Sequence, residues 1–180
     1  MENFNLILPE IFLALSIFVT LLIGVFFKNS YSLVTNLTYA IIVSLLLIIF
    51  NSFNESGNLF SNSFISNSFI NFFKILILLG TLFVMLITQN FIKETKINYF
   101  EYPLLLLFSV LGMFFMISSN DLMSFYLGLE LQSLALYILA AIDKDNLKSN
   151  ESGLKYFVLS ALSSGLLLYG CSLLYGFTGT

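Results

Sequence analysis

The chain has 180 residues, of which 58% are hydrophobic and 9% charged, with a formal net charge of −3 and a mean hydropathy of +0.96. Soluble domains carry roughly 25% charged residues, so this composition belongs in a membrane. With no His, no Trp, no Arg and one Cys, the chain cannot assemble the usual ligand sets of zinc, haem or iron–sulfur centres, or a disulfide framework. Its small net charge also gives no support for binding nucleic acid or for a polybasic lipid surface.

A bilayer core of about 30 Å asks a helix for about 20 apolar residues. Six stretches meet that demand: 9–27, 31–50, 72–91, 102–119, 122–142 and 154–177. The expected fold is therefore an all-α, polytopic membrane protein. The N-terminus is acidic and the first apolar run is too long for a signal-peptide core, so this run is expected to remain as a span. Pro9 and Pro103 stand in the first turns of their spans, where the missing amide proton costs nothing, and Glu10 lies where a helix N-terminus favours negative charge. Residues 51–70, rich in Asn and Ser with interspersed Phe, suit an interfacial loop, and the recurring Asn-Ser-Phe reads as compositional drift. A tight turn at 118–121 predicts an antiparallel hairpin of the fourth and fifth spans.

Positive loops stay on the side from which a chain is inserted. Lys28, Lys93, Lys96, Lys144, Lys148 and Lys155 fall on one face and only Lys74 on the other, which puts both termini outside. The heavy use of Phe, Ile, Asn and Lys is what an AT-rich genome writes, and points to an organelle genome.

The fifth span carries Glu130, with no charged residue within eight positions on either side. An acid at the centre of a span costs about 3 kcal/mol on insertion scales, so such residues face a bundle interior or wet cavity and mark ion or proton paths. Tyr126, Ser133 and Tyr137 share its helical face and form one polar stripe. The competing reading is a glutamate that hydrogen-bonds to a neighbouring helix and holds the packing. In the sixth span Lys155 lies about one turn inside the apolar run, followed by Ser160, Ser163 and Ser164. A lysine there can serve a proton path or snorkel and anchor the helix, and Ser160 with Ser164 and Ala161 with Gly165 fit a small-residue packing pattern. At 1.5 Å per residue Glu130 and Lys155 differ in depth by about 15 Å, too far for a direct ion pair.

The segments LGLELQSLALYILAA and NESGLKYFVLSALSSGLLLYGCSLLYGFTGT resemble the most characteristic region of the subunit 2 family of respiratory NADH dehydrogenase (complex I), called subunit N in bacteria and related to the plastid B subunit. The resemblance is nearly continuous over 102–180 and looser before it. It implies three N-terminal helices over 1–101, followed over 102–180 by the first three helices of an antiporter-like inverted repeat. It implies a membrane-arm subunit without a redox centre, which carries protons through Glu130 and Lys155 while FMN, iron–sulfur clusters and ubiquinone reside elsewhere in the complex. Expected partners are other membrane-arm subunits and lipid, in the mitochondrial inner membrane or alternatively a bacterial plasma membrane. The resemblance covers less than half of such a subunit. A second chain is therefore expected to supply the remaining helices and to cover the face bearing Tyr126, Ser133 and Tyr137, which would otherwise lie against lipid, docking through the Ser160, Ser164 and Gly165 surface or through that stripe. The rival readings are a subunit of a multi-subunit cation/proton antiporter and a structural scaffold that no longer pumps.

Overall fold

The computed structural model describes residues 4–27, 30–95 and 99–179. After a short 3-10 turn at Phe4–Ile7, six long helices follow: α1 (Leu8–Phe26), α2 (Ser30–Asn51), α3 (Ser68–Thr95), α4 (Glu101–Ser118), α5 (Leu122–Ala140) and α6 (Leu147–Thr178). All six are long and apolar enough to cross a membrane. They match the six expected spans, with α3 and α6 extended by polar turns at their ends. A small antiparallel hairpin, β1 (Gly57–Leu59) and β2 (Phe64–Ser66), links α2 to α3.

Each of the first helices buries a stripe spaced by three and four residues, as a helix with one covered face must. On α1 the stripe includes Glu10, Leu13, Ile17, Thr20 and Gly24, and on α2 Val34, Thr38, Ile41, Ile42, Leu45 and Ile49. These stripes meet around α4, which packs against α1, α2, α3, α5 and β2. One apolar core therefore runs from Leu13 to Phe114 without regard to the sequence boundary at 101/102. Serines and threonines inside the spans donate to carbonyls three or four residues back, as Thr20 does to Ser16 and Thr38 to Thr35. Without water, those hydroxyls need such local acceptors. Among the polar contacts between α2 and α3, Gln89 Nε2 donates to Tyr39 Oη at 2.9 Å, and the Thr38 hydroxyl reaches Met85 Sδ at 3.8 Å.

The antiparallel α4–α5 hairpin forms as the 118–121 turn predicts. Its two backbones cross at glycine: a Cβ on Gly112 would stand 2.5 Å from Gln132 N, and one on Gly128 2.7 Å from Met116 N. This is the close approach that small residues allow between helices in lipid.

The 51–70 connection is more ordered than an interfacial loop. Its hairpin pairs Gly57 with Ser66, Asn58 with Ile65 and Leu59 with Phe64. Leu59 and Phe64 pack with Leu6 and Ile7 in a second small core, while Asn120 N donates to Ser63 O and Asn120 Nδ2 to Asn62 O. Three successive residues at the tip, Phe60, Ser61 and Asn62, have φ of 51°, 54° and 73°. Left-handed backbone costs an L-residue about 1–2 kcal/mol, and the Asn120 bonds help hold the tip there. The three Asn-Ser-Phe copies end α2, enter β2 and start α3 respectively, so they form no structural repeat.

Beneath this hairpin lies a buried ion pair that joins two residues given other roles in the sequence. Lys74 Nζ stands 2.5 Å from Glu10 Oε1, with side-chain exposures of 0% and 1%. The Ser118 hydroxyl donates to the same Glu10 oxygen at 3.4 Å, and the rings of Phe64 and Phe114 lie 5.5 and 5.8 Å from the ammonium. Lys74, counted above as a surface charge on the outer face, is thus neutralised inside the protein and drops out of the orientation bias. Lys28, Lys96 and the side chain of Lys93 lie outside the described residues, so the remaining bias rests on sequence.

Two predictions follow from this packing. Gly112→Ala or Gly128→Ala, each forcing a methyl against backbone, should destabilise the helix pair by about 1–3 kcal/mol. Gly80→Ala, with nothing within 4 Å of the added carbon, should be neutral; thermal unfolding of the purified membrane assembly compares them, and equal stability of all three would refute the crossing. For the ion pair, Lys74→Met should cost about 3–5 kcal/mol by leaving a buried carboxylate uncompensated. The double substitution Glu10→Leu with Lys74→Met should recover most of that loss in the same unfolding measurement.

Candidate functional site in the fifth and sixth helices

Glu130 sits in the middle of α5, held at its depth by the Gly112–Gly128 crossing one half-turn away. It is half-buried, and its Oε1 is enclosed with no hydrogen-bond partner among the described residues. Tyr126, one turn earlier, interacts through its hydroxyl with Glu130 and with Ser164 of α6. The Ser133 hydroxyl, three residues on, donates to the Glu130 backbone carbonyl at 2.9 Å, so its proton is committed to the helix. Tyr137 is buried, its ring edge-on to Tyr156 at 5.0 Å and to Phe157 at 5.9 Å.

The polar stripe thus faces α6. α6 folds back along α5 and meets the stripe at Tyr126 and Tyr137, so part of the expected cover comes from this chain itself. Close packing makes this possible: a Cβ on Gly153 would stand 2.5 Å from Ala141 Cβ. The start of α6 also completes the end of α5, since the hydroxyls of Ser149 and Ser152 both donate to Ala140 O, at 3.0 and 3.3 Å. Asn146 caps α6 by accepting from Lys148 N at 3.0 Å.

Lys155 does not approach Glu130. Its ammonium lies 2.6 Å from Glu151 Oε1, one turn earlier on the same helix, and the two side chains are 70% and 62% exposed. The sequence signal for this pair was present in NESGLK, where an acid four residues before a lysine is the favoured helical order. Ser160 and Ser164 are half-buried, Ser163 and Gly165 are exposed, and a Cβ on Gly165 would meet nothing within 4 Å. The small-residue surface therefore packs only in part. Beyond its contact with α5, the membrane length of α6 is uncovered.

A second charged contact fixes the opposite end of the hairpin. Lys144, in the α5–α6 connection, lies 3.6 Å from Glu101 Oε1 at the start of α4 and 5.3 Å from the Tyr99 ring. Both partners are substantially exposed, so this contact orients the connection more than it stabilises the fold. Among the described residues no three His, Cys, Asp or Glu side chains gather where they could hold a metal ion.

Comparison with known proteins bears on what this arrangement serves. Residues 119–180, which hold Glu130, Lys155 and the stripe, match the family model described as NADH:quinone oxidoreductase/Mrp antiporter, transmembrane. NADH-quinone oxidoreductase subunit N of Pelagibacter ubique is 56% identical over 100% of this chain and 38% of its own length. Subunit N of Bartonella bacilliformis is 53% identical over 97% of this chain and 36% of its own length. One chain of the solved respiratory complex I from Thermus thermophilus with bound aureothin superimposes with a TM-score of 0.80 at 27% identity, covering 96% of this chain and 37% of that one. The chain is a homologue of NADH-quinone oxidoreductase subunit N and spans a little over a third of the length of these relatives.

Proposed function

We propose that the chain is a non-redox membrane-arm component of a proton-pumping NADH:quinone oxidoreductase and contributes part of a proton path through Glu130 and Lys155. The observation that carries this reading is the enclosed, unpartnered Glu130 Oε1 in the middle of a span, beside the hydroxyl of Tyr126. A carboxylate so placed is costly as a packing device and useful as a proton site. Tyr126 and Ser164 extend it towards α6; Ser160 and Ser163 continue along that helix, and Tyr137 closes the aromatic end. Lys155, paired with Glu151, receives or releases protons at the inner end.

The energetics favour several coupled charges over one. A lysine that moves from 5 to 10 Å from Glu130, at an effective dielectric near 20, changes their attraction by about 1.7 kcal/mol. Carrying one charge against 100 mV takes about 2.3 kcal/mol. A single pair thus biases a proton without driving it across, and further cations are needed beside Glu130. We assign them to helices of a second chain that docks on the uncovered side of α6. FMN, iron–sulfur clusters and ubiquinone belong to other subunits of the same complex.

In this reading residues 1–101 form an N-terminal three-helix segment and 102–180 open the antiporter-like repeat, with both termini on the outer side. The named relatives are bacterial, which favours a bacterial plasma membrane over the mitochondrial inner membrane suggested by composition. The family model's description also admits a cation/proton antiporter. Purification of the native complex separates the two, because flavin and iron–sulfur subunits accompany the chain in one case and not in the other.

Glu130→Gln keeps shape and hydrogen bonding but removes ionisation, and should lower the protons pumped per electron pair without impairing assembly. Unchanged pumping in an assembled complex would leave the scaffold reading standing. Lys155→Arg should keep the contact with Glu151 yet slow coupled turnover, because a guanidinium stays protonated at any working pH. Full coupled activity in that variant would return Lys155 to the role of an anchor.

A further inference from the structure

We propose that the Glu10–Lys74 pair is a hydrated site, in which one water molecule bridges Lys74 Nζ and Glu10 Oε2 beneath the β1–β2 hairpin. The argument is one of hydrogen-bond demand. A lysine ammonium has three N–H donors and a carboxylate has about four lone-pair sites. Here the ammonium reaches one oxygen, Glu10 Oε1, at 2.5 Å. Beyond this ion-pair contact Nζ has no hydrogen-bond partner, and Glu10 Oε2 has none. Ser118 donates to the already engaged Oε1 and leaves Oε2 without a donor. The Phe64 and Phe114 rings offer only π faces. Both charged side chains are at most 1% exposed, so bulk solvent does not meet the demand.

Net charge selects the ligand. The pair is neutral as a whole, so an added cation would be repelled by Lys74 and an added anion by Glu10. A molecule that donates to a carboxylate oxygen and accepts from an ammonium with the same atom satisfies both, and water does this at the least volume. Buried waters characteristically bridge polar groups that would otherwise lack partners. The site is also near the membrane surface: Glu10 is in the first turn of α1 and Lys74 about 9 Å into α3, so water need not cross the hydrocarbon to reach it. Phe64, on β2, forms part of the cover, which makes the hairpin the lid of the hydrated site.

The test is cryo-electron microscopy of the assembled complex containing this chain, at a resolution that shows ordered waters elsewhere in its membrane part. The expected result is a density peak within about 2.7–3.2 Å of both Lys74 Nζ and Glu10 Oε2. That peak should persist in Ser118→Ala and vanish in the double substitution Glu10→Leu with Lys74→Met. A well-ordered pair with no such peak, protein groups satisfying both atoms, or a peak that persists in the double variant would each overturn the proposal. If the double variant fails to assemble, the unsubstituted complex decides the matter alone.

Discussion

The contact between Lys74 and Glu10 sets the geometry of one end of the bundle. Neither charge can be relaxed into solvent, and each is tolerable in a low-dielectric interior only while the other is present. Glu10 belongs to α1, Lys74 to α3, and Ser118, which shares the carboxylate, to α4. Three helices that are far apart in sequence are thereby fixed in rotation about their axes, and β2 is drawn over them through Phe64. Apolar packing in lipid does not supply such a constraint, because a leucine facing a helix and a leucine facing an acyl chain differ little in energy. Charge and hydrogen bonding define the rotation that hydrophobicity leaves open.

That fixed rotation carries through α4 to the candidate site. α4 presents Leu107, Val110 and Phe114 to the core formed with α1, α2 and α3, and Gly112 to α5. With the glycine crossing in place, α5 can slide neither along α4 nor far around it. The stripe from Tyr126 to Tyr137 is consequently aimed at α6. Serine hydroxyls on α6 that bond to Ala140 O then register α6 against the end of α5. The position of Glu130 thus depends on a chain of contacts that begins at an ion pair on the other side of the bundle.

The sequence disclosed what the membrane imposes locally and little of what distant residues impose on each other. Six spans could be read because the hydrocarbon thickness sets a length and a composition for every helix. The α4–α5 hairpin could be read because a turn of a few residues permits one arrangement. Glu130 stood out by its cost, and its neighbours by helical spacing. In contrast, nothing in the first turn of α1 announces a lysine 64 positions later; Glu10 had a sufficient local reason in the helix dipole, and Lys74 one in the loop nearby. The β hairpin escaped for a similar reason. Asn58, Asn62 and Ser63 look like loop residues, and only their bonds to each other and to Asn120, together with the cover of Leu6 and Ile7, make them a folded unit. Lys155 is the opposite case: its partner Glu151 stands four residues before it, a spacing that the sequence displays directly.

Two enclosed acids, Glu10 and Glu130, differ in how firmly their surroundings hold them. Glu10 has its cation within 2.5 Å, fixed by packing on all sides. Among the described residues Glu130 has no ion-pair partner, one of its oxygens is without a hydrogen-bond partner, and a tyrosine hydroxyl lies beside it. Its neighbouring helix α6 has its membrane length exposed to whatever packs there. An acid can respond to a change in its surroundings only if the charge that controls it is able to approach and withdraw, and a locked partner such as Lys74 cannot do so. The fixed pair therefore belongs to the architecture, whereas Glu130, under the function proposed above, is the acid whose surroundings are free to change.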